Sequence, residues 1–421
     1  MSSAIILTSG VDTVLPLDSD QVVSATSATL TAGTYVYNGT TSTYISGDRL
    51  DGGAGYDVLA LTGSGNFDLT GLAQFTGFEE VRLTNASLSS ATLILSNDVD
   101  LKVTLNDGTI TPSGSTSFPA MSGSSVTLGT ARVTLQGSNG SDTFVVNGQD
   151  KLHTGSIIDG GAGFDTLSLT GPSYIPGPIG TSPLYPGANY DLTSISLSHV
   201  ESLGVGNTFG YGRTVVYADA ASLADVTSVS LGYNAELITN SLGKVSTIYL
   251  NGSASGTGTV SALTTTAANL DLTSKYIYGS GGIIKSLNTV GTIFTVDNFA
   301  TALLVQGGAG QDTLVVKGQT LTSAQRDQIF TGSIETLTDA AGTYTKGVTV
   351  VPHIPDTLVL RVSEDAYKGD TQFVVKVNGQ QVGDVQTVHA SHAAGQWETI
   401  TLQSTVTDPT QLQIQFINDL Y

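Results

Sequence analysis

Gly52-Gly-Ala-Gly-Tyr-Asp57, Gly160-Gly-Ala-Gly-Phe-Asp165 and Gly307-Gly-Ala-Gly-Gln-Asp312 are three copies of one turn. Each is followed two places on by a leucine: Leu59, Leu167 and Leu314. Each is later followed by a Glu-containing strand, Phe78-Glu-Glu-Val-Arg-Leu83, Val200-Glu-Ser-Leu203 and Ile334-Glu-Thr-Leu337. The first two units also share Phe67-Asp-Leu-Thr70 and Tyr190-Asp-Leu-Thr193. A glycine turn feeding a short apolar strand, repeated along the chain, predicts an all-β fold.

Working outward from these turns, apolar residues alternate over Val126-Thr-Leu128, Val133-Thr-Leu135 and Phe144-Val-Val146. A spacing with apolar residues at one, four and six recurs as Phe78, Val81, Leu83 and as Val200, Leu203, Val205. It returns as Val226, Val229, Leu231, as Val245, Ile248, Leu250 and as Ala267, Leu270, Leu272. Strands at intervals of roughly 20 residues predict rungs of a parallel β-solenoid, each burying its apolar face on its neighbour. A β-sandwich with coincidental spacing is the alternative. A leucine-rich repeat would need asparagine in fixed register and a helical return. Asn85, Asn207, Asn234 and Asn251 drift in register, and no helical return is visible. Thr322–Phe330 is the stretch that reads as a short helix. The segment between Gly171 and Gly187 holds five of the 11 prolines and reads as a surface loop.

The chain has 421 residues, 15 basic and 35 acidic side chains, and a net charge of −20. That balance excludes a nucleic-acid binder, which needs a basic footprint to displace phosphate counterions. With no cysteine there is no disulfide frame, thiolate metal site or cysteine nucleophile. No apolar run reaches the 18 or so residues of a membrane-spanning helix. Met1-Ser-Ser-Ala-Ile-Ile-Leu lacks the basic start and apolar length of a Sec-type signal.

The glycine turn has a chemical reading. Glycine takes positive φ readily, so backbone carbonyls can converge on one point. The aspartate adds a hard anionic oxygen, and such oxygens suit Ca²⁺. The candidate metal residues are Gly52, Gly53, Gly55 and Asp57; Gly160, Gly161, Gly163 and Asp165; and Gly307, Gly308, Gly310 and Asp312. Asp48 joins them, nine residues before Asp57. Gly137-Ser-Asn-Gly-Ser-Asp142 and Ser9-Gly-Val-Asp12 are weaker cousins. The competing reading is a tight turn capped by its own aspartate. At Gly52–Leu59, Gly160–Leu167 and Gly307–Leu314 the sequence resembles the RTX, or hemolysin-type, calcium-binding repeat proteins. That resemblance implies a parallel β-roll that binds calcium. It also implies type I secretion to an extracellular or cell-surface location without an N-terminal signal.

Val350-Val-Pro-His-Ile-Pro355 reads as a linker, because its prolines disfavour helix and central strand. The expected division is a β-solenoid over 1–349, a linker over 350–355 and a second domain over 356–421. That tail holds the single tryptophan, Trp397, and alternating strands. Asn378-Gly379 and Ala394-Gly395 predict hairpins of a small antiparallel β-sandwich. Ser363-Glu-Asp-Ala-Tyr-Lys-Gly369, Gln380-Gln-Val-Gly383, Ala390-Ser-His-Ala-Ala-Gly395 and Asn418-Asp-Leu-Tyr421 closely resemble calcium-dependent xylan-binding carbohydrate-binding modules of the family-60 and family-36 type. The resemblance implies that Asp365 and Asp419, then Glu364, bind calcium, and that the ion contacts sugar hydroxyls. Tyr367 and Tyr421 would pack against or line that carbohydrate site. His389 and His392 are expected to make strand-end hydrogen bonds. Members of that family continue past this last motif, so the module is expected to be incomplete at Tyr421.

Polysaccharide lyases and epimerases also use parallel β-helices. Their chemistry needs a basic residue or a His/Tyr pair beside clustered acids in a groove. The solenoid region has only His153, His199 and few lysines or arginines for it, and no Gly-x-Ser-x-Gly or His-Glu-x-x-His string occurs. Glu79, Glu80 and Glu201 recur in strands and read as scaffold. The resulting expectation is a secreted, calcium-binding, non-catalytic protein that attaches to a xylan-like glycan, a surface or a matrix. Nucleic acid and a membrane span are excluded from it, and self-association is compatible with it. The alternatives are a lyase or epimerase on the solenoid, and a structural surface-layer or biofilm subunit.

Overall fold

The computed structural model describes residues 3–37, 42–87, 89–107, 123–172, 187–206, 212–251, 260–279, 281–347, 356–365, 369–404 and 411–418. Most of the proline-rich insert and the linker at 350–355 lie outside these residues. The chain forms two compact units, residues 1–346 and 347–421.

The first unit is all-β apart from short helical turns, and its main sheets are parallel. An eight-stranded sheet runs in chain order from Ser3–Ile6 and Gln21–Thr26 through Val58–Thr62, Glu80–Asn85 and Leu101–Asp107 to Ser196–Ser198. A nine-stranded sheet runs in the same order from Gly65–Asp68 through Thr143–Asn147, Thr166–Thr170 and Ser202–Gly206 to Tyr276–Tyr278. A six-stranded sheet starts at Ala188–Asp191 and ends at Val305–Gln306. The chain alternates between sheets. Each return to a sheet lays one parallel strand beside the previous one.

Register is held by apolar rows. Leu203, Val229 and Ile248 are partners, as are Val205, Leu231 and Leu250. All six are at most 3% exposed. These rows join one continuous core reaching from Leu7 to Leu337. Burying each Leu, Ile or Val side chain contributes roughly 1.5–3 kcal/mol, so the repeated spacing supplies much of the driving force.

The five copies of the one-four-six spacing do not all stack together. The copies at Val200, Val226 and Val245 are consecutive in the nine-stranded sheet. Val81 lies instead in the eight-stranded sheet, between Leu59 and Val103. Leu270 pairs with Phe294 in a five-stranded sheet, and the next partner of Thr247–Leu250 is Tyr276–Tyr278. The spacing specifies a strand with one buried face. The course of the intervening turn decides which sheet receives it.

Ser323–Phe330 is helical, as the sequence predicts. Thr322 Oγ1 accepts the Gln325 N–H at 3.3 Å, and Gln325 Oε1 accepts the Thr322 N–H at 2.9 Å. This reciprocal cap satisfies two backbone donors at the helix start. Thr322→Ala is expected to weaken the helix by about 1 kcal/mol, read as faster amide exchange over residues 324–330.

The second unit is antiparallel. Asp356–Val362 pairs with Glu398–Ser404, and Gln372–Val377 lies between Gln380–Thr387 and Leu412–Phe416. Phe373, Val375, Val377, Val382, Val388 and Leu402 form its core. Asn378 and Gly379 sit at φ +46° and +83°. Two positive-φ residues give the tight turn whose twist matches a hairpin, so this hairpin forms as expected. Ala394-Gly395 does not make the second one. The strands on either side of it, Gln380–Thr387 and Glu398–Ser404, lie in different sheets. The segment from Val388 to Trp397 is too long for a tight hairpin and crosses between the sheets.

Candidate functional sites

The strand after each glycine turn enters a different sheet, yet the aspartates share one role. Each carboxylate reaches back to a backbone amide of a neighbouring layer. Asp57 Oδ1 accepts the Gln21 N–H at 2.6 Å, Asp165 Oδ1 the Asp142 N–H at 2.7 Å, and Asp312 Oδ1 the Thr292 N–H at 2.7 Å. Asp48 accepts from Asp12 N–H and Thr31 N–H at 2.8 and 2.7 Å. Asp142 accepts from Ser124 N–H, Ser138 N–H and Ser138 Oγ–H. All five side chains are in residues no more than 1% exposed.

The glutamates of the following strands complete the pattern. Glu79 Oε2 accepts the Asp57 N–H at 2.6 Å, Glu201 Oε2 the Asp165 N–H at 2.8 Å, and Glu335 Oε2 the Asp312 N–H at 2.8 Å. Each turn aspartate therefore grips one layer through its carboxylate and is gripped by another through its amide. Charge-assisted bonds of this kind are stronger than neutral ones. They also satisfy amides that the sheet ladders leave unpaired at each turn. Glu79 and Glu201 are scaffold, as the sequence indicates.

The turns differ in one respect that matters for a metal. In the third turn Gly308 N–H closes onto Asp312 Oδ2 at 2.6 Å. In the first two turns the second glycine is left-handed, with Gly53 at φ +91° and Gly161 at +90°. Asp57 Oδ2 and Asp165 Oδ2 are left buried with no hydrogen-bond partner. Burial raises the pKa of both carboxyls, and Asp165 is pushed up to about 7. A buried carboxylate with one open oxygen fits a hard cation or a retained proton. The satisfied oxygens of Asp48, Asp142 and Asp312 offer a cation less. Among the described residues, no three His, Cys, Asp or Glu side chains converge as a metal group.

In the second unit, Glu364 and Asp365 point to different environments. Glu364 is 8% exposed, its carboxylate accepts the Thr371 N–H, and its backbone bridges to Ser391. Asp365 is open, with its side chain 70% exposed. Its two oxygens each lie 3.2 Å from His392 Nδ1. His389 Nδ1 lies 2.6 Å from Asp370 Oδ2 in the same way. Both histidines thus pair with loop acids, in line with the hydrogen-bonding role expected for them.

Asp365 opens onto a cleft of about 420 Å³ whose walls include Arg361, His392, Trp397 and Phe416. Trp397 is half exposed, with His392 edge-on to its ring at 6.0 Å and the Arg361 guanidinium 5.2 Å from its centroid. An exposed aromatic ring, a solvent-exposed carboxylate and a cation in one cleft can bind a polar ligand that also has an apolar face. Sequence reasoning assigned Trp397 no role. Its being the single tryptophan, and its place just after the Ala390–Gly395 motif, were the available signals. Arg361 reaches the cleft by strand pairing with Thr399, which local sequence does not reveal. Tyr367, Asp419 and Tyr421 lie outside the described residues.

No curated protein and no solved structure matches the chain. Residues 357–421 match a family model described as a calcium-dependent, xylan-binding carbohydrate-binding module, CBM60.

Proposed function

We propose that this chain is a non-catalytic, calcium-dependent glycan-binding protein. The xylan-type module over 357–421 is the observation that carries the reading. Within it Asp365 is the solvent-exposed acid that would turn from His392 to hold calcium beside the Trp397 cleft, with Asp419 as its partner ligand and Tyr367 and Tyr421 lining the sugar. Glu364, buried on the Thr371 N–H, braces the loop. The parallel sheets of the first unit form a β-solenoid scaffold of RTX type. Asp57 and Asp165, with their open oxygens, are its candidate calcium ligands. Export by a type I route, and attachment to glycan at a surface or matrix, complete the proposal.

Affinity electrophoresis of the full chain in xylan gels tests it. Calcium is expected to retard migration, and chelator or Asp365→Ala is expected to abolish the retardation, a loss of about tenfold or more in affinity. Retardation that survives both would remove calcium and Asp365 from the site. A parallel thermal melt addresses the first unit. Calcium that binds the folded state must raise the midpoint, and equal midpoints with calcium and with chelator would sink the metal assignment.

A further inference from the structure

A second cleft lies on the outer face of the six-stranded sheet. Val216, Leu237, Leu263 and Ile284 occupy successive strands and point into the core. Side chains alternate along a strand, so Glu236, Thr264 and Lys285 project from the opposite face. Glu236 is only 2% exposed. Its carboxylate accepts from Thr264 Oγ1 at 2.6 Å, lies 3.1 Å from Lys285 Nζ, and pairs with the Arg213 guanidinium. Above this floor is a cleft of about 740 Å³, whose walls include Asn189, Tyr217 and Leu287.

Glu80 provides an internal comparison. It is another outer-face glutamate, 1% exposed, held by an arginine, a lysine and a threonine: Arg82 at 2.7 Å, Lys102 at 3.3 Å and Thr104 at 3.1 Å. There a fourth group, Tyr56 Oη, donates to Glu80 at 3.0 Å and closes the cluster. At Glu236 the nearby tyrosine, Tyr217, stands 47% exposed in the cleft wall. The Arg213 side chain is 55% exposed and lines the cleft. Asp191, on the neighbouring strand, is bound to the Thr193 amide and hydroxyl.

We infer that this cleft binds the carboxylate of a uronic-acid unit in an acidic glycan. Two cations and one anion leave a local charge of +1, in a chain whose net charge is −20. That matches a monoanion. The guanidinium fork fits a carboxylate in two-point contact. Tyr217 and Leu287 offer a surface for the sugar ring, and Asn189 offers an amide for its hydroxyls. The cleft volume is in the range of about 300–1,000 Å³ usual for small-ligand sites. Burial holds the Lys285 pKa below its ordinary value, with the nearby Arg213 charge adding to the effect. A bound anion would oppose that shift. The inference rests on the glycan-binding reading for its ligand class, but not on the C-terminal module for its site.

The test uses the full chain carrying Asp365→Ala, with calcium present. Titration calorimetry compares a neutral xylo-oligosaccharide with one bearing a glucuronic-acid branch. The acidic probe is expected to bind and the neutral one not to bind. Arg213→Gln should weaken binding by about ten- to hundredfold, the loss of one charge-assisted contact. Glu236→Gln should strengthen it, because the local charge rises from +1 to +2. Tyr217→Ala, at an exposed position, should weaken binding while leaving the melting midpoint unchanged. Added salt should weaken it as well. Absence of acidic-probe binding, or the same sign of change for Arg213→Gln and Glu236→Gln, would overturn the inference. Retardation of the unsubstituted chain by neutral xylan reports the C-terminal module separately, so the two readings can fail independently.

Discussion

Gly160→Ala is expected to destabilise the first unit by more than about 3 kcal/mol. The reason is interlayer distance and not local conformation. A Cβ at Gly160 would land on the carbonyl oxygen of His199 in the adjacent layer and press against the Asp165 side chain. Neither can yield without breaking hydrogen bonds. Gly160 N–H donates to Ser198 O at 2.9 Å, and Asp165 holds the Asp142 amide. Gly318→Ala is the control. Gly318 is left-handed at φ +71°, with nothing within 4 Å of the added carbon. Its substitution meets backbone strain alone, about 1 kcal/mol. Denaturant midpoints of the two variants separate the effects. Equal losses would show that the layers at Gly160 accommodate the added carbon, and that close stacking is not what requires glycine there.

Glu80→Ala is expected to cost about 3–5 kcal/mol near neutral pH, as breaking a buried ion cluster does. Burial alone would raise the Glu80 pKa. The hydrogen bonds from Arg82, Tyr56, Lys102 and Thr104 outweigh it and bring the group down to about 2. In the unfolded chain a glutamate titrates near 4.3. A folded pKa below the unfolded one means that the unfolded state binds the proton more tightly. The contribution is therefore fully present above about pH 4.5 and is lost as the pH falls toward 2. It amounts to about 3 kcal/mol. The difference in stability between the parent chain and Glu80→Ala should thus shrink across that window. A difference independent of pH between 5 and 2 would mean that packing, and not ionisation, is what the substitution removes.

The strands, the helix at Ser323–Phe330 and the Asn378-Gly379 hairpin were legible because their signals are local. Alternation, a cap three residues long and two positive-φ positions each act within a few residues. The likeness of the tail to a xylan-type module was legible because each of its motifs is a short contiguous run in the chain. The roles of Glu79 and Glu201 were legible because they recur at the same place after each turn.

What the sequence determined by itself is therefore an all-β chain, with glycine–aspartate turns and a C-terminal segment that resembles a carbohydrate-binding module. Only the tertiary structure decided what the turn aspartates do. Their partners are amides 18 to 36 residues away for Ser124, Asp142, Thr292 and Gln21, and identical turns end with one oxygen closed at Asp312 and open at Asp57 and Asp165. It also decided that Arg213, Glu236, Thr264 and Lys285 meet. Parallel strands set side by side bring together residues separated by whole turns of chain, and hydrophobic spacing fixes a strand's buried face without fixing which strand will lie beside it.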